Sequence, residues 1–139
     1  MEILFTIIAF VLLLGLIVVP IILFMVLKKW YRLKFGFMVY LVSGLVFTAG
    51  GMWAYAWWAD YSDQLLMGYY GYDFEAMNDT GRYANVKSEN LEKLKRLEIG
   101  YFGVGWPLKA GMLFVFYSPY LLLVYLIGQG IASLKRKKK

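Results

Sequence analysis

Lys28-Lys29-Trp30-Tyr31-Arg32-Leu33-Lys34 places four positive charges in seven residues, between two long stretches that carry no ionised side chain. Before it runs Ile3 to Leu27 and after it Phe35 to Trp58. Each exceeds the roughly 20 apolar residues needed to cross a bilayer core. A short basic segment between two such runs is a turn at a membrane face, and the positive-inside rule puts that face in the cytoplasm. The reading is therefore a helical hairpin with Met1 outside. The first run follows Met1-Glu2 without a basic leader and is longer than the core of a signal peptide, so it reads as a retained span. At 1.5 Å per residue its 25 residues make a helix of about 37 Å, longer than the ~30 Å hydrocarbon layer, and tilt is expected. Pro20 lacks the N–H that would pair with the Leu16 carbonyl and adds a kink.

A third run, Leu108 to Leu134, leads to Lys135-Arg136-Lys137-Lys138-Lys139. The tail agrees independently with a cytoplasmic C-terminus. The predicted fold is an all-α integral membrane protein of one domain, residues 1–139, with three transmembrane helices at about 3–27, 35–58 and 108–134. A cytoplasmic hairpin at 28–34, an extracytoplasmic loop at 59–107 and a basic cytoplasmic tail at 135–139 complete it. Lys28, Lys29, Arg32, Lys34, Lys135, Arg136 and Lys137 are the topology anchors.

Composition supports this. The 139 residues are 61% hydrophobic, with a mean hydropathy of +0.58, too apolar for an ordinary soluble domain. The net charge of +6 does not signal nucleic acid, because nine of the fifteen basic residues lie in the hairpin and tail. Neither Cys nor His is present, which removes the thiol nucleophile, the disulfide, the commonest metal ligand and the commonest general base. With no charge in the depth of the first two spans, an ion pathway, a proton relay or a voltage sensor has nothing to run on. The expectation is no enzyme and no cofactor.

Within span two, Ser43, Gly44, Thr48, Ala49, Gly50, Gly51 and Ala54 are small, and Gly44–Thr48 and Gly50–Ala54 have the four-residue spacing that lets helix backbones approach. They pack span two against span one or three, or form a docking face for another subunit. Trp53, Tyr55, Trp57, Trp58 and Tyr61 make an interfacial belt at its outer end. In span three, Tyr117-Ser118-Pro119-Tyr120 lies near mid-depth, where phenol hydroxyls need partners and Pro119 frees the carbonyl of Val115. That segment is expected to face protein, with an inter-subunit contact in view. Lys109, near the outer end, snorkels to the headgroups or pairs with a loop acid.

The outer loop carries eight acids and five bases between Asp60 and Gly105. Its Tyr- and Gly-rich first half suits a folded segment. Asn78-Asp79-Thr80-Gly81 reads as a turn. Ala84 to Ile99 reads as a helix that Gly100 ends, its narrow stripe of Val86, Leu91, Leu94 and Leu97 set against the bilayer surface, the Tyr-rich loop or a partner. Glu89–Lys93 and Glu92–Arg96 stand at the favourable i,i+4 spacing. Pro107 suits the first turn of span three.

Asp60, Asp63, Asp73, Glu75 and Asp79 do not follow the spacing of a calcium loop. The order Gly100-x-x-Gly103-x-Gly105 before an apolar span is not a phosphate-binding turn. Asn78-Asp79-Thr80 has the form of a glycosylation acceptor, and Lys135 with Lys137 that of a dilysine retrieval signal; both patterns are short. The basic tail has its simpler role as an anchor that also attracts anionic lipid. A bacterial inner membrane is the expected home.

What remains is a set of surfaces. Gly44, Thr48, Gly51, Tyr117, Ser118, Tyr120, Leu91, Leu94 and Leu97 are the candidate partner contacts, and the expected partners are the lipid bilayer and other membrane subunits or a second copy of the chain. The expected function is a non-catalytic accessory subunit of a transport, secretion or polymer-synthesis assembly. In topology the chain also resembles the three-span phage holins, which implies self-assembly and membrane lesions as an alternative; an immunity or exclusion protein is another.

Overall fold

The computed structural model describes residues 1–30 and 36–137 and is all-helical over them. Three long helices, α1 (Glu2–Trp30), α2 (Gly36–Tyr69) and α5 (Trp106–Lys137), are each long and apolar enough to cross a membrane. The chain is compatible with an integral membrane protein. Between α2 and α5 lie a single helical turn, α3 (Asp79–Arg82), a 3₁₀ turn (Ser88–Asn90) and a short helix, α4 (Leu91–Gly103). Most of the 28–34 hairpin, residues 31–34, lies outside the described residues, as do residues 138–139 of the tail.

α2 is the central element, packed against α1, α4 and α5. Tyr40, Gly44, Thr48, Met52 and Ala56 form a buried row at four-residue spacing. At that spacing each position turns about 40° further round the helix, so one row serves two neighbours in succession. Near its start it meets α5, where a Cβ on Gly44 would stand 3.2 Å from the Leu121 side chain. Nearby, a Cβ on Gly51 would stand 2.7 Å from Leu16 of α1. Gly44, Thr48 and Gly51 therefore pack the bundle from within, whereas Ala49 and Gly50 are exposed and a Cβ on Gly50 would meet nothing within 4 Å.

α2 runs eleven residues past Trp58, where the span read from sequence stopped. Its 34 residues make about 51 Å of helix, some 20 Å beyond a hydrocarbon core. The helix ends in a Schellman motif: Tyr72 N donates to Met67 O and Gly71 N to Gly68 O, with Gly71 at φ +90°. A Cβ on Gly71 would also lie 2.6 Å from the Asn85 carbonyl, so two constraints select glycine there.

The segment after α2 folds back on this extension. Met67, Tyr72 and Leu94 form a buried cluster with Tyr70, Tyr83, Val86, Leu97 and Tyr101 around it. This is a small cap, in which α4 packs on the end of α2 and its Tyr-rich continuation. α4 begins at Leu91 rather than Ala84 and runs through Gly100 to Gly103. Asn78 caps α3, accepting from Gly81 N at 2.8 Å, so the expected turn is a helical one.

Candidate functional site

The prolines decide where polar side chains sit inside the bundle. Pro20 leaves the Leu16 carbonyl without its helical donor, and the Tyr117 hydroxyl of α5 donates to it. Tyr120 donates to the next carbonyl, Ile17, at 3.0 Å. Pro119 frees the Val115 carbonyl, and Ser118 Oγ donates to that one at 3.0 Å. Tyr40 donates across from α2 to the Leu121 carbonyl at 3.2 Å. Thr48 Oγ1 bonds within its own helix, to Gly44 O at 2.8 Å. Among the described residues no buried side-chain nitrogen or oxygen lacks a partner.

Tyr117, Ser118 and Tyr120 thus spend their hydroxyls inside one chain, as Gly44, Thr48 and Gly51 spend their small size. Of the leucines, Leu94 is fully buried in the cap and Leu97 partly so, while Leu91 is exposed. None of these nine residues other than Leu91 presents its side chain mainly to the outside. At the opposite end of the bundle Phe24, Tyr40, Phe37 and Tyr125 form a cluster with ring centroids 4.9 to 5.9 Å apart. Lys28 Nζ lies 5.8 Å over the Phe24 ring.

The charged residues gather at the cap. Lys109 of α5 joins three helices: its Nζ donates to the Gly100 carbonyl of α4 at 2.7 Å and meets Asp60 of α2 at 3.3 Å. The expected acid partner is therefore on a helix, not in a loop. Both side chains are largely covered, which makes this pair costly to break from one side. Glu98 accepts hydrogen bonds from the Tyr72 hydroxyl at 3.1 Å and from the Tyr83 hydroxyl. Burial, reinforced by the Glu98 carboxylate, pushes the Tyr83 phenol up to about 12 and raises Tyr72 in the same direction.

Arg96 pairs with Glu92 at 2.8 Å as the spacing suggested, but Lys93 reaches Glu2 of α1 at 3.4 Å instead of Glu89. Asp73 accepts from Glu75 N at 2.9 Å and Asp79 lies 3.7 Å from Arg82. Among the described residues no three acidic side chains gather where a metal ion would sit. At the edge of the cap, α1, α2 and α4 enclose a groove of about 590 Å³ lined by Phe5, Asp63, Lys93 and Arg96 among others. Sequence reasoning missed this groove, because it needs the helical extension of α2 to bring Asp63 beside α4.

The aromatic residues expected to form an outer belt pair near the cap: Trp53 against Trp106 at 4.7 Å, Trp57 stacked on Tyr61 at 5.3 Å, and Phe5 against Trp58 at 5.8 Å. With this geometry in hand, no protein-family model, curated protein or solved structure matches the chain.

Proposed function

We propose that the chain is a non-catalytic accessory subunit of a larger membrane assembly, anchored by its three helices and engaging its partner through the cap. The observation that carries this reading is exposed apolar surface on the cap. Met77 is fully exposed, and Ile99 and Phe102, one turn apart on α4, are 75% and 56% exposed. Large apolar side chains left this exposed are a marker of association. The bundle itself offers lipid an apolar exterior and, among the described residues, encloses no charged route from the cap to the basic end, which suits an anchor better than a conduit.

The orientation belonging to this reading has the cap outside and the basic tail in the cytoplasm, following Lys28 and the Lys/Arg-rich ends. The membrane is the bacterial cytoplasmic membrane. The test is purification of a C-terminally tagged chain from its own membranes in mild detergent, with mass spectrometry and sizing of what accompanies it. A stoichiometric second polypeptide is expected, and Ile99→Glu with Phe102→Glu should release it while the chain stays membrane-bound. A monodisperse chain alone sinks the proposal. A homo-oligomer that collapses the membrane potential on expression would favour the holin-like alternative.

A further inference from the structure

The groove at the cap edge has two chemically different halves. Toward the bundle, Ala9 and Ala59 are small and leave space between α1 and α2, with Phe5 and Leu97 as apolar walls. Toward the cap, charges of both signs face each other: Lys93 and Arg96 on one side of α4, Asp63 on α2 and Glu2 on α1. Glu2 is already engaged, accepting from the Tyr70 hydroxyl and pairing with Lys93. Asp63 is different. It is only partly exposed and lies against Gly100 of α4 with the Lys109 charge nearby, yet among the described residues its carboxylate has neither an ion pair within 4.0 Å nor a hydrogen bond. A partly covered carboxylate in that state favours a ligand that brings its own charged donor.

The groove lies level with the aromatic belt, since Trp58 Nε1 donates to the Phe5 carbonyl at 3.4 Å and Phe5 is one of its walls. That is the depth of lipid headgroups. Its 590 Å³ is within the roughly 300–1,000 Å³ typical of small-molecule sites. We propose that the groove binds one phospholipid whose headgroup carries a primary ammonium, with the ammonium donating to Asp63, the phosphate beside Lys93 and Arg96, and an acyl chain along Phe5, Ala9 and Ala59.

The charge left over selects the headgroup. Glu2 pairs with Lys93, Glu92 with Arg96 and Asp60 with Lys109, so among these groups Asp63 is the charge without a partner; the ammonium of a zwitterion meets it, whereas an anionic lipid leaves it facing a phosphate. A trimethylated ammonium has the charge but no N–H to donate, so it loses the charge-assisted hydrogen bond.

The test uses the full chain purified in mild detergent, incubated with equal amounts of dioleoyl phosphatidylethanolamine, phosphatidylcholine or phosphatidylglycerol and examined by native mass spectrometry. One phosphatidylethanolamine per chain should survive activation that strips phosphatidylcholine, with retention about tenfold higher, the size of one charge-assisted hydrogen bond. Asp63→Asn, nearly isosteric, should lower phosphatidylethanolamine retention to the phosphatidylcholine level. Lys93→Gln with Arg96→Gln should lower both, and Glu89→Gln, outside the groove, should change neither. Helicity by circular dichroism confirms that each variant is folded. Equal retention of the two zwitterionic lipids, a folded Asp63→Asn that still holds phosphatidylethanolamine, or preference for phosphatidylglycerol would overturn the assignment.

Discussion

Replacing Tyr117 by Phe removes one hydroxyl and leaves the Leu16 carbonyl, already deprived of its helical donor by Pro20, with nothing to accept from. An unpaired backbone carbonyl between membrane helices has no water to turn to. Measured interhelical hydrogen bonds in membranes are weaker than that picture suggests, roughly 0.6 kcal/mol on average and up to about 2 kcal/mol. The Leu16 site belongs at the upper end, because its carbonyl has no second donor. We expect Tyr117→Phe to cost about 1–2 kcal/mol, a factor of about 5–30 in the folded-to-unfolded ratio. Tyr120→Phe is the internal comparison. Its acceptor, the Ile17 carbonyl, has Ile21 and not a proline four residues on, so a helical N–H is available to it and the same chemical change should cost about 0.6 kcal/mol or less. The decisive background is Pro20→Ala, which returns an N–H to Leu16. There Tyr117→Phe should become nearly neutral, giving a coupling of about 1 kcal/mol between positions 20 and 117. Unfolding in mixed micelles of increasing dodecyl sulfate content reads all four corners of the cycle. Additive costs, or equal costs for the two tyrosines, would refute the reasoning that proline-freed carbonyls place these hydroxyls.

Gly128→Ala would put a methyl group 2.3 Å from the Phe24 ring, so a loss of about 1–3 kcal/mol is expected in the same unfolding assay, relieved by Phe24→Leu. Gly71→Ala forces a side chain into φ +90° and against the Asn85 carbonyl; the cap should loosen by about 1–3 kcal/mol, seen as faster protease cleavage near residue 71 while the three spans stay intact. Tyr83 has its phenol pushed up to about 12, above the ordinary value of 10.0, so the folded cap prefers the neutral form. Its contribution to stability is complete below pH 10 and is lost as pH rises toward 12, which a phenolate absorbance titration follows. Tyr83→Phe should remove a late-titrating phenol from that curve.

The three spans were legible because each is a long apolar run bounded by charge or aromatic residues, and length alone decides such cases. The paired roles of Pro20 with Leu16 and Pro119 with Val115 could be stated from spacing, but not which hydroxyl would serve each carbonyl. Tyr117 and Tyr120 pointing at α1 is a matter of helix rotation, which sequence does not specify. Asp60 and Asp63 concealed the extension of α2. Polarity was taken as the end of the helix, whereas Ala59, Ser62 and Leu66 keep the helical face going and Gly71 supplies the stop. α4 starts later than its periodicity suggested, at Leu91 and not at Ala84, and runs on past Ile99 to Gly103. Gly100 is tolerated within the helix because its carbonyl accepts from Lys109 and its bare Cα lies against Asp63, contacts made by residues distant in sequence.

The cap is held to the bundle of long helices by the continuation of α2 to Tyr69 and by Leu94 inserted against Met67 and Tyr72. Hydrogen exchange with mass spectrometry, on the chain in lipid nanodiscs, tests this directly. Amides of residues 60–69 and 94–101 should exchange slowly, within the range of the spans, while residues 73–78 exchange fast. Leu94→Ala, at a cost of about 2–5 kcal/mol, should release α4 and the end of α2 together. Fast exchange over 60–69 in the unaltered chain, or release of α4 without any change in α2, would contradict a cap built on that helix.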